Sequence, residues 1–578
     1  MQLEQEFDQF IKGKHPLLKW RPQQREVVLD IIKAYDDDPN GIYLLDAPTG
    51  SGKSVIAMLV ADYLVHKGQK GYILASDLSL HAQYAQDFRR MQLWNWGNVK
   101  GVDNYLCVVN NEKFSIGDCK NKGTSYEAAE ALSCFKDCGY LKSRKKAMRS
   151  PVALLTYPYA LIQRNYVDSE ANREKGKSAP FPARDFVIAD EAHKLLSIVQ
   201  SHFSPIVSHE ITKKCAILIE SLRGIGVKPP EIDIDRLDKT IKAIYHHEDH
   251  QILLRLLNGL TSMLGIIVAS TANIREIASI EFLDEDLPME WLSVFGQCDW
   301  FKDVHCKVQD YCEIIETTST DKLIKNPGET SITFNCIDEY YLLKRHFFDK
   351  FGFKLIMTAT MGNAADFMKN HGIRSAKYFK MDSHFDWEKS PIIFYPGKKM
   401  STKFLDQNIQ WAIDRIVSIL DSHQDESGII HSGSYELNNR IWRGLPKAHQ
   451  KRIVLYKGTE EKELGLKRMT KKKGLVLMGP SILEGLNMID DKSRFQIFLK
   501  VPYPHLGDKF VAAKLKYQPE WYDWVTCSHV LQGVGRSVRS DTDWAVTYFL
   551  DGCFADLFSR SSRNFPPEFH SRLKIKYS

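Results

Sequence analysis

The stretch Gly41-Ile-Tyr-Leu-Leu-Asp-Ala-Pro-Thr-Gly-Ser-Gly-Lys-Ser54 runs from an apolar segment through a glycine-rich turn into a helical pattern at Val55–Val65. A turn of this kind curls the backbone so that its N–H groups converge on phosphate oxygens at a helix start. Ala47, Pro48, Thr49, Gly50, Ser51 and Gly52 form that cradle, Lys53 is placed to reach the β- and γ-phosphates, and Ser54 to ligate magnesium. Further along, Phe186-Val-Ile-Ala-Asp-Glu-Ala-His193 carries two adjacent carboxylates to the end of a short apolar run. Carboxylates left uncompensated there would be costly, which favours a metal partner. Asp190 suits the magnesium ion and Glu191 the polarisation of an attacking water, so the chemistry is hydrolysis of a nucleoside triphosphate.

Gln532-Gly-Val-Gly-Arg-Ser-Val-Arg539 sets Arg536 and Arg539 three apart, on one face if the segment is helical. From a second domain they could stabilise charge developing on the γ-phosphate. Four of the eleven cysteines, Cys107, Cys119, Cys134 and Cys138, are separated by eleven, fourteen and three residues. Four thiolates can hold an iron–sulfur cluster or a tetrahedral zinc ion. Spacing alone leans slightly to zinc, because Cys134–Cys138 forms a short knuckle.

These groups need elements to position them. Apolar, β-branched runs predict strands at Gly41–Leu45, Gly71–Ala75, Val152–Leu155, Phe186–Ala189 and Phe353–Met357. A second set follows at Gly428–His431, Arg452–Leu455, Gly474–Met478, Phe495–Leu499 and Ala545–Leu550. Alternation with helical patterns predicts an α/β fold with two parallel sheets. Between the two sets, Ile211, Cys215, Leu218, Ile219 and Leu222 keep helical spacing, and Ile252–Ile267 is a further apolar helix. The length, 578 residues, calls for several domains. A formal charge of +6, from 78 basic and 72 acidic residues, is too mild to name a nucleic-acid partner by itself. No run of about 18 apolar residues stands out, so no membrane span is expected, and the scattered remaining cysteines suit a reducing intracellular compartment. The basic run Lys142, Arg144, Lys145, Lys146 and Arg149 reads either as a solvated helix face or as a phosphate track.

Taken in order, DAPTGSGKS, DEAH, MTATM (Met357–Met361), SILEGLN (Ser481–Asn487) and QGVGRSVR resemble the motif series of superfamily 2 helicases. Lys100–Cys107, Cys138–Arg144, Val501-Pro-Tyr-Pro504 and Tyr548-Phe-Leu-Asp551 resemble its XPD/DinG branch. Two positions depart from the pattern: Asn487 stands where an acid is usual, and Thr358-Ala-Thr360 replaces serine-alanine-threonine.

The resemblance implies two RecA-like parallel-sheet motor domains with an iron–sulfur insertion and a mainly helical arch insertion. The corresponding boundaries are 1–100 with 151–196 and 333–365 for the first motor, 101–150 for the cluster domain, 197–332 for the arch, and 366–578 for the second motor. It further implies that Gln24 reads adenine, that Gly485 and Gln532 belong to the nucleotide site, and that the four cysteines hold a four-iron four-sulfur cluster. The implied activity is ATP- and magnesium-dependent 5′→3′ translocation on single-stranded DNA by a soluble monomeric motor that opens forked or 5′-tailed duplexes. An RNA or hybrid helicase, and a stimulated ATPase that remodels complexes without strand separation, are the competing readings.

Overall fold

The computed structural model describes residues 2–117, 133–167, 181–282, 288–480, 490–538 and 543–577. Its first sheet contains β1 (Ile42–Asp46), β2 (Gly71–Ala75), β3 (Gly97–Asn98), β4 (Val152–Thr156) and β5 (Phe186–Ala189). Three strands, β6 (Ile206–Val207), β7 (Leu323–Pro327) and β8 (Ile332–Cys336), form a small antiparallel sheet of their own. The first sheet is then completed by β9 (Phe353–Thr358) and β10 (Lys377–Lys380), in the order β10-β1-β9-β5-β2-β4-β3, with every pairing parallel.

Residues of β2, β4, β5 and β9 are buried along their whole length. Strands covered on both faces lose the polar alternation of half-exposed strands, which is why these segments read as continuous apolar runs. One face packs on the N-terminal helices through Phe7, Val28, Ile32 and Tyr63. The other packs toward the inserted helices through Leu74, Tyr157 and Val199.

The second sheet comprises β11 (Ile392–Phe394), β12 (Gly428–His431), β13 (Ile453–Leu455), β14 (Val476–Gly479), β15 (Phe495–Phe498), β16 (Val546–Phe549) and β17 (Leu573–Ile575). Its order is β13-β14-β12-β15-β16-β11-β17, again with parallel pairings. The chain leaves the first sheet only after Lys380, because β10 pairs with β1, so a domain boundary at 365 falls inside that sheet.

The insertion between Leu195 and Ile332 is mainly helical, with long helices at Glu210–Gly224, Ile234–His246, His250–Ser270 and Met289–Thr317. All five residues spaced along the first of these, from Ile211 to Leu222, are buried. The run His250–Ala278 is long and apolar enough to cross a bilayer by length and composition, contrary to the expectation that no such stretch exists. Here Leu253, Leu257, Leu260, Leu264 and Ile267 are buried in the insertion's core, and Asn258 Nδ2 donates to Glu316 Oε1 of the adjoining helix at 2.7 Å.

The two sheet domains meet through polar contacts. Lys514 of the helix Lys509–Tyr517 is fully buried, ion-paired with Glu339, and donates to Gln518 Oε1 at 2.8 Å and to the Ile337 carbonyl at 3.2 Å. Burial pushes Glu339 up and Lys514 down from their ordinary values, and each charge offsets this for the other. Nearby, Arg563 clasps Asp366 with two hydrogen bonds of 2.6 and 2.9 Å, and Gln518 Nε2 donates to Asn370 Oδ1 at 2.8 Å.

Candidate nucleotide site

The glycine-rich turn connects β1 to the helix Lys53–His66. Gly50 and Gly52 take φ of +86° and +82°, a region side chains rarely enter. A Cβ on Gly50 would strike the ring of Phe385, and one on Gly52 the carboxamide of Gln24, so conformation and space both demand glycine. Lys53 Nζ donates to the Ala47 carbonyl at 3.2 Å, and Ser54 Oγ to Asp87 Oδ2 at 3.1 Å. Gln24 is buried at 1% exposure: its Oε1 accepts from Arg21 N at 2.9 Å and its Nε2 donates to the Ser51 carbonyl at 2.7 Å. Its carboxamide thus joins Arg21 to the phosphate loop.

Asp190 and Glu191 follow β5 directly. Asp190 is 2% exposed, accepts from Tyr84 Oη at 2.9 Å and from the Glu191 N–H at 2.8 Å, while Tyr157 Oη donates to its carbonyl at 3.0 Å. Burial, and then the neighbouring Glu191, push the Asp190 carboxyl upward; Lys53 and Tyr84 oppose this. Burial also pushes Glu191 upward, but the charges of His193, Lys53, Lys194 and Arg536 outweigh it and leave Glu191 below its ordinary value. The backbone of Glu191 is left-handed at φ +54°, which turns the chain sharply at the strand end. Tyr157 and Tyr159 are buried, Tyr159 against Tyr140 at 3.1 Å between hydroxyls.

Across the cleft, the helix Pro519–Val534 ends beside Arg536. A cleft of about 260 Å³ is lined by Thr49, Glu191, Thr360, Gln532 and Arg536, bringing residues of the phosphate loop, the DEAH segment and the second domain's arginine segment around one space. A chain of polar contacts crosses it. His193 Nδ1 lies 3.3 Å from Glu191 Oε2, 3.0 Å from Thr358 Oγ1 and 3.3 Å from Thr360 Oγ1. Ser528 Oγ donates to Thr360 Oγ1 at 3.3 Å, and Gln532 Nε2 donates to Ser528 Oγ at 3.4 Å. Gly485, with the whole Ser481–Asn487 motif, and Arg539 lie outside the described residues. Asp551 is a buried brace, accepting from the N–H groups of Met400, Val501 and Cys553. Ser434 caps the helix Tyr435–Gly444.

In the cysteine segment, Cys107 and Cys138 are buried and Cys134 is half-buried, while Cys119 lies outside the described residues. The Cys138 N–H donates to the Cys134 carbonyl at 3.0 Å. Burial pushes the Cys138 thiol up, the N–H groups of Leu141 and Tyr140 pull it down, and the Cys134 and Cys107 thiols add to the rise. Among the described residues no three such side chains approach closely enough to hold a metal ion. The following helix, Gly139–Arg149, is anchored by Tyr140 against Phe114 and Tyr105. Lys142, Lys145, Lys146 and Arg149 line a groove of about 440 Å³ on its flank, while Arg144 is buried. Trp94, at 64% exposure, lends its carbonyl to Lys146 Nζ at 2.9 Å, whereas Trp96 is core.

Comparison with known proteins agrees with this geometry. A model of the helicase C-terminal domain matches residues 416–571, and one of the type III restriction enzyme res subunit matches 17–218. A probable ATP-dependent helicase of Methanocaldococcus jannaschii is 20% identical over 648 aligned positions, covering 96% of this chain and 95% of its own. The ATP-dependent DNA helicase CHL1 of Candida albicans is 25% identical over 186, which is 28% of this chain and 19% of its own. Among solved structures, S. tokodaii Xpd4 superposes with a TM-score of 0.58 at 16% identity, over 96% of this chain and 100% of its own. A second XPD helicase structure gives 0.58 at 15%, over 97% and 100%.

The chain is an ATP-hydrolysing helicase with the fold of the XPD structures. An ATP-hydrolysing helicase needs events in the cleft to be felt in the second sheet domain. The His193–Thr360–Ser528–Gln532 chain supplies a physical connection: His193 and Thr360 belong to the first domain, Ser528 and Gln532 to one helix of the second, and the Thr360–Ser528 bond joins the two. Thr360→Val and Ser528→Ala each remove the shared Thr360–Ser528 bond. Each is expected to lower nucleic-acid-stimulated ATP turnover several-fold, and the double variant no further than the worse single one. Neighbours in one network show coupling of about 0.5–3 kcal/mol; strict additivity in a double-mutant cycle on kcat would break the connection.

Proposed function

We propose that this helicase moves 5′→3′ on single-stranded DNA and separates the duplex ahead of it. The observation that carries the motor reading is the convergence of Thr49, Glu191, Gln532 and Arg536 on one interdomain cleft. Lys53 would hold the β- and γ-phosphates, and Ser54, exchanging Asp87 for the ion, would share magnesium with Asp190. Glu191, kept ionised by its cationic surroundings, would orient the attacking water. Arg536 and Arg539 would meet the charge that develops on the transferred phosphoryl group. Nucleotide binding would draw the two motor domains together and hydrolysis would release them, advancing a single motor along the strand.

DNA as substrate draws support from the Candida albicans relative, which is named a DNA helicase. The groove along Lys142, Lys146 and Arg149 supplies cations at the spacing of a helix face, beside the cysteine segment. Direction rests on the resemblance to the XPD/DinG branch. Duplexes with a 5′ single-stranded tail are expected to open, and those with only a 3′ tail to stay closed, at equal salt and equal occupancy. Opening only from 3′ tails would reverse the direction. Stimulated ATP hydrolysis with neither duplex opened would favour complex remodelling, and preference for RNA tails would change the substrate.

For the cysteines, we infer a four-iron four-sulfur cluster held by Cys107, Cys119, Cys134 and Cys138. The support is the resemblance, together with the place of Cys107, Cys134 and Cys138 around the start of the helix Gly139–Arg149, where the Tyr140 and Leu141 N–H groups face the Cys138 sulfur; the three described thiols do not by themselves close a metal site. When bound, the cluster would pin the small domain beside the strand-separating path. Protein purified without oxygen is expected to be brown, with about equal iron and acid-labile sulfide. Colourless, fully active protein carrying one zinc would overturn the assignment.

A further inference from the structure

Reading adenine needs a flat surface and a polar group near the phosphate loop, and Gln24 offers neither to the cleft, since it is buried with both ends of its carboxamide bonded to Arg21 and Ser51. The segment joining the two sheets carries another set of groups to the same place. It leaves β10 and passes over the phosphate loop, seating Phe385 directly on Gly50. Asp382 and Gln23 fasten its start: the Asp382 N–H donates to Gln23 Oε1 at 2.8 Å. Two residues beyond Phe385, Trp387 lines the cleft with Pro48 and Thr49. Its indole is held in orientation by Nε1 donating to Ser383 Oγ at 2.9 Å.

Arg572, from the end of the chain, lies over this indole with its guanidinium 4.3 Å from the ring centroid. It is 6% exposed and donates through Nε to the Ser390 carbonyl at 2.6 Å, so it is locked as a planar support. Glu568, one helical turn earlier, lines the same cleft, and among the described residues no hydrogen bond or ion pair holds its carboxylate. An indole, a guanidinium and an acceptor carboxylate beside a phosphate cradle are the parts needed to receive an amino-substituted aromatic ring.

We propose that Trp387, oriented by Arg572, stacks on the base of the nucleotide, and that Glu568 accepts a hydrogen bond from its exocyclic amine. The assignment rests on ATP occupying the cleft as described above. It moves base recognition from the first motor domain to the linker and the second, so a nucleotide would touch the linker as well as both motors.

The test compares ATP with purine riboside triphosphate, which has the same ring and phosphates without the 6-amino group. Steady-state hydrolysis is measured at saturating single-stranded DNA for the full-length protein. Trp387→Ala is expected to raise KM for ATP about tenfold with kcat within about twofold, the size of an aromatic–base stack. Trp387→Phe should recover most of that loss. Wild type should prefer ATP over the amine-free analogue about tenfold in kcat/KM, and Glu568→Ala should collapse the preference by raising KM for ATP alone. The assignment is overturned if Trp387→Ala leaves KM for ATP unchanged, if Trp387→Phe fails to recover it, or if Glu568→Ala keeps the wild-type preference. Failure of wild type to hydrolyse either triphosphate would instead strike the cleft's assignment to ATP, and the base site with it.

Discussion

A carboxylate buried at the end of an apolar strand is the constraint on which the rest of this structure depends. Asp190 is 2% exposed at the tip of β5, in the middle of the first sheet. Its ionised form is opposed by burial and by Glu191 next to it. What makes the position tenable is a shell: the Tyr84 hydroxyl, the Glu191 N–H, and the Lys53 charge across the loop. Each of these comes from a different element, so the sheet order, the phosphate-loop turn and the helix Leu78–Arg90 must all be in place before the carboxylate is. The left-handed turn at Glu191 then sends the second carboxylate outward, toward the cleft and Arg536. Buried and partly exposed neighbours thereby acquire opposite shifts, one suited to a cation and one to an ionised water-orienting group.

The contact between the motor halves has the character of a joint. Apart from Trp524 and its neighbours, it is built from ion pairs and amide bonds: Lys514 with Glu339, Arg563 with Asp366, Gln518 with Asn370. Interfaces of this polarity separate more readily than hydrophobic ones. They also fix register, because removing one partner of a buried pair leaves an uncompensated charge. The contact chain from Glu191 to Gln532 runs through the same junction.

Strands covered on both faces were legible because their apolar runs are uninterrupted; Gly71–Ala75, Phe186–Ala189 and Gly428–His431 match residue for residue. Two of the edge strands were not: Lys377-Tyr-Phe-Lys380 and Leu573-Lys-Ile575 are short and largely exposed, with lysines where burial would demand apolar side chains. The hairpin of β7 and β8 was hidden by Lys325, whose ammonium is buried on the carbonyls of Tyr245 and His247. In the site, local motifs announced the loop, the DEAH carboxylates and Arg536. Tyr84, Ser528 and Trp387 carry no local signature, since their roles exist only once distant segments meet. Gln24, placed at the base by its motif, also bonds the Ser51 carbonyl of the phosphate loop, a contact that no local pattern announces.

On the proposed motor reading, ATP in the interdomain cleft would move the two motor domains relative to each other. The most direct test of this motion is the distance between dyes placed by non-cysteine chemistry at Lys33 of the first motor and Lys467 of the second, followed by single-molecule energy transfer on single-stranded DNA. The distance should shorten with magnesium and a non-hydrolysable ATP analogue, cycle with ATP, and stay fixed in Lys53→Ala. An unchanging distance in wild-type protein that is hydrolysing ATP and separating strands would contradict the account.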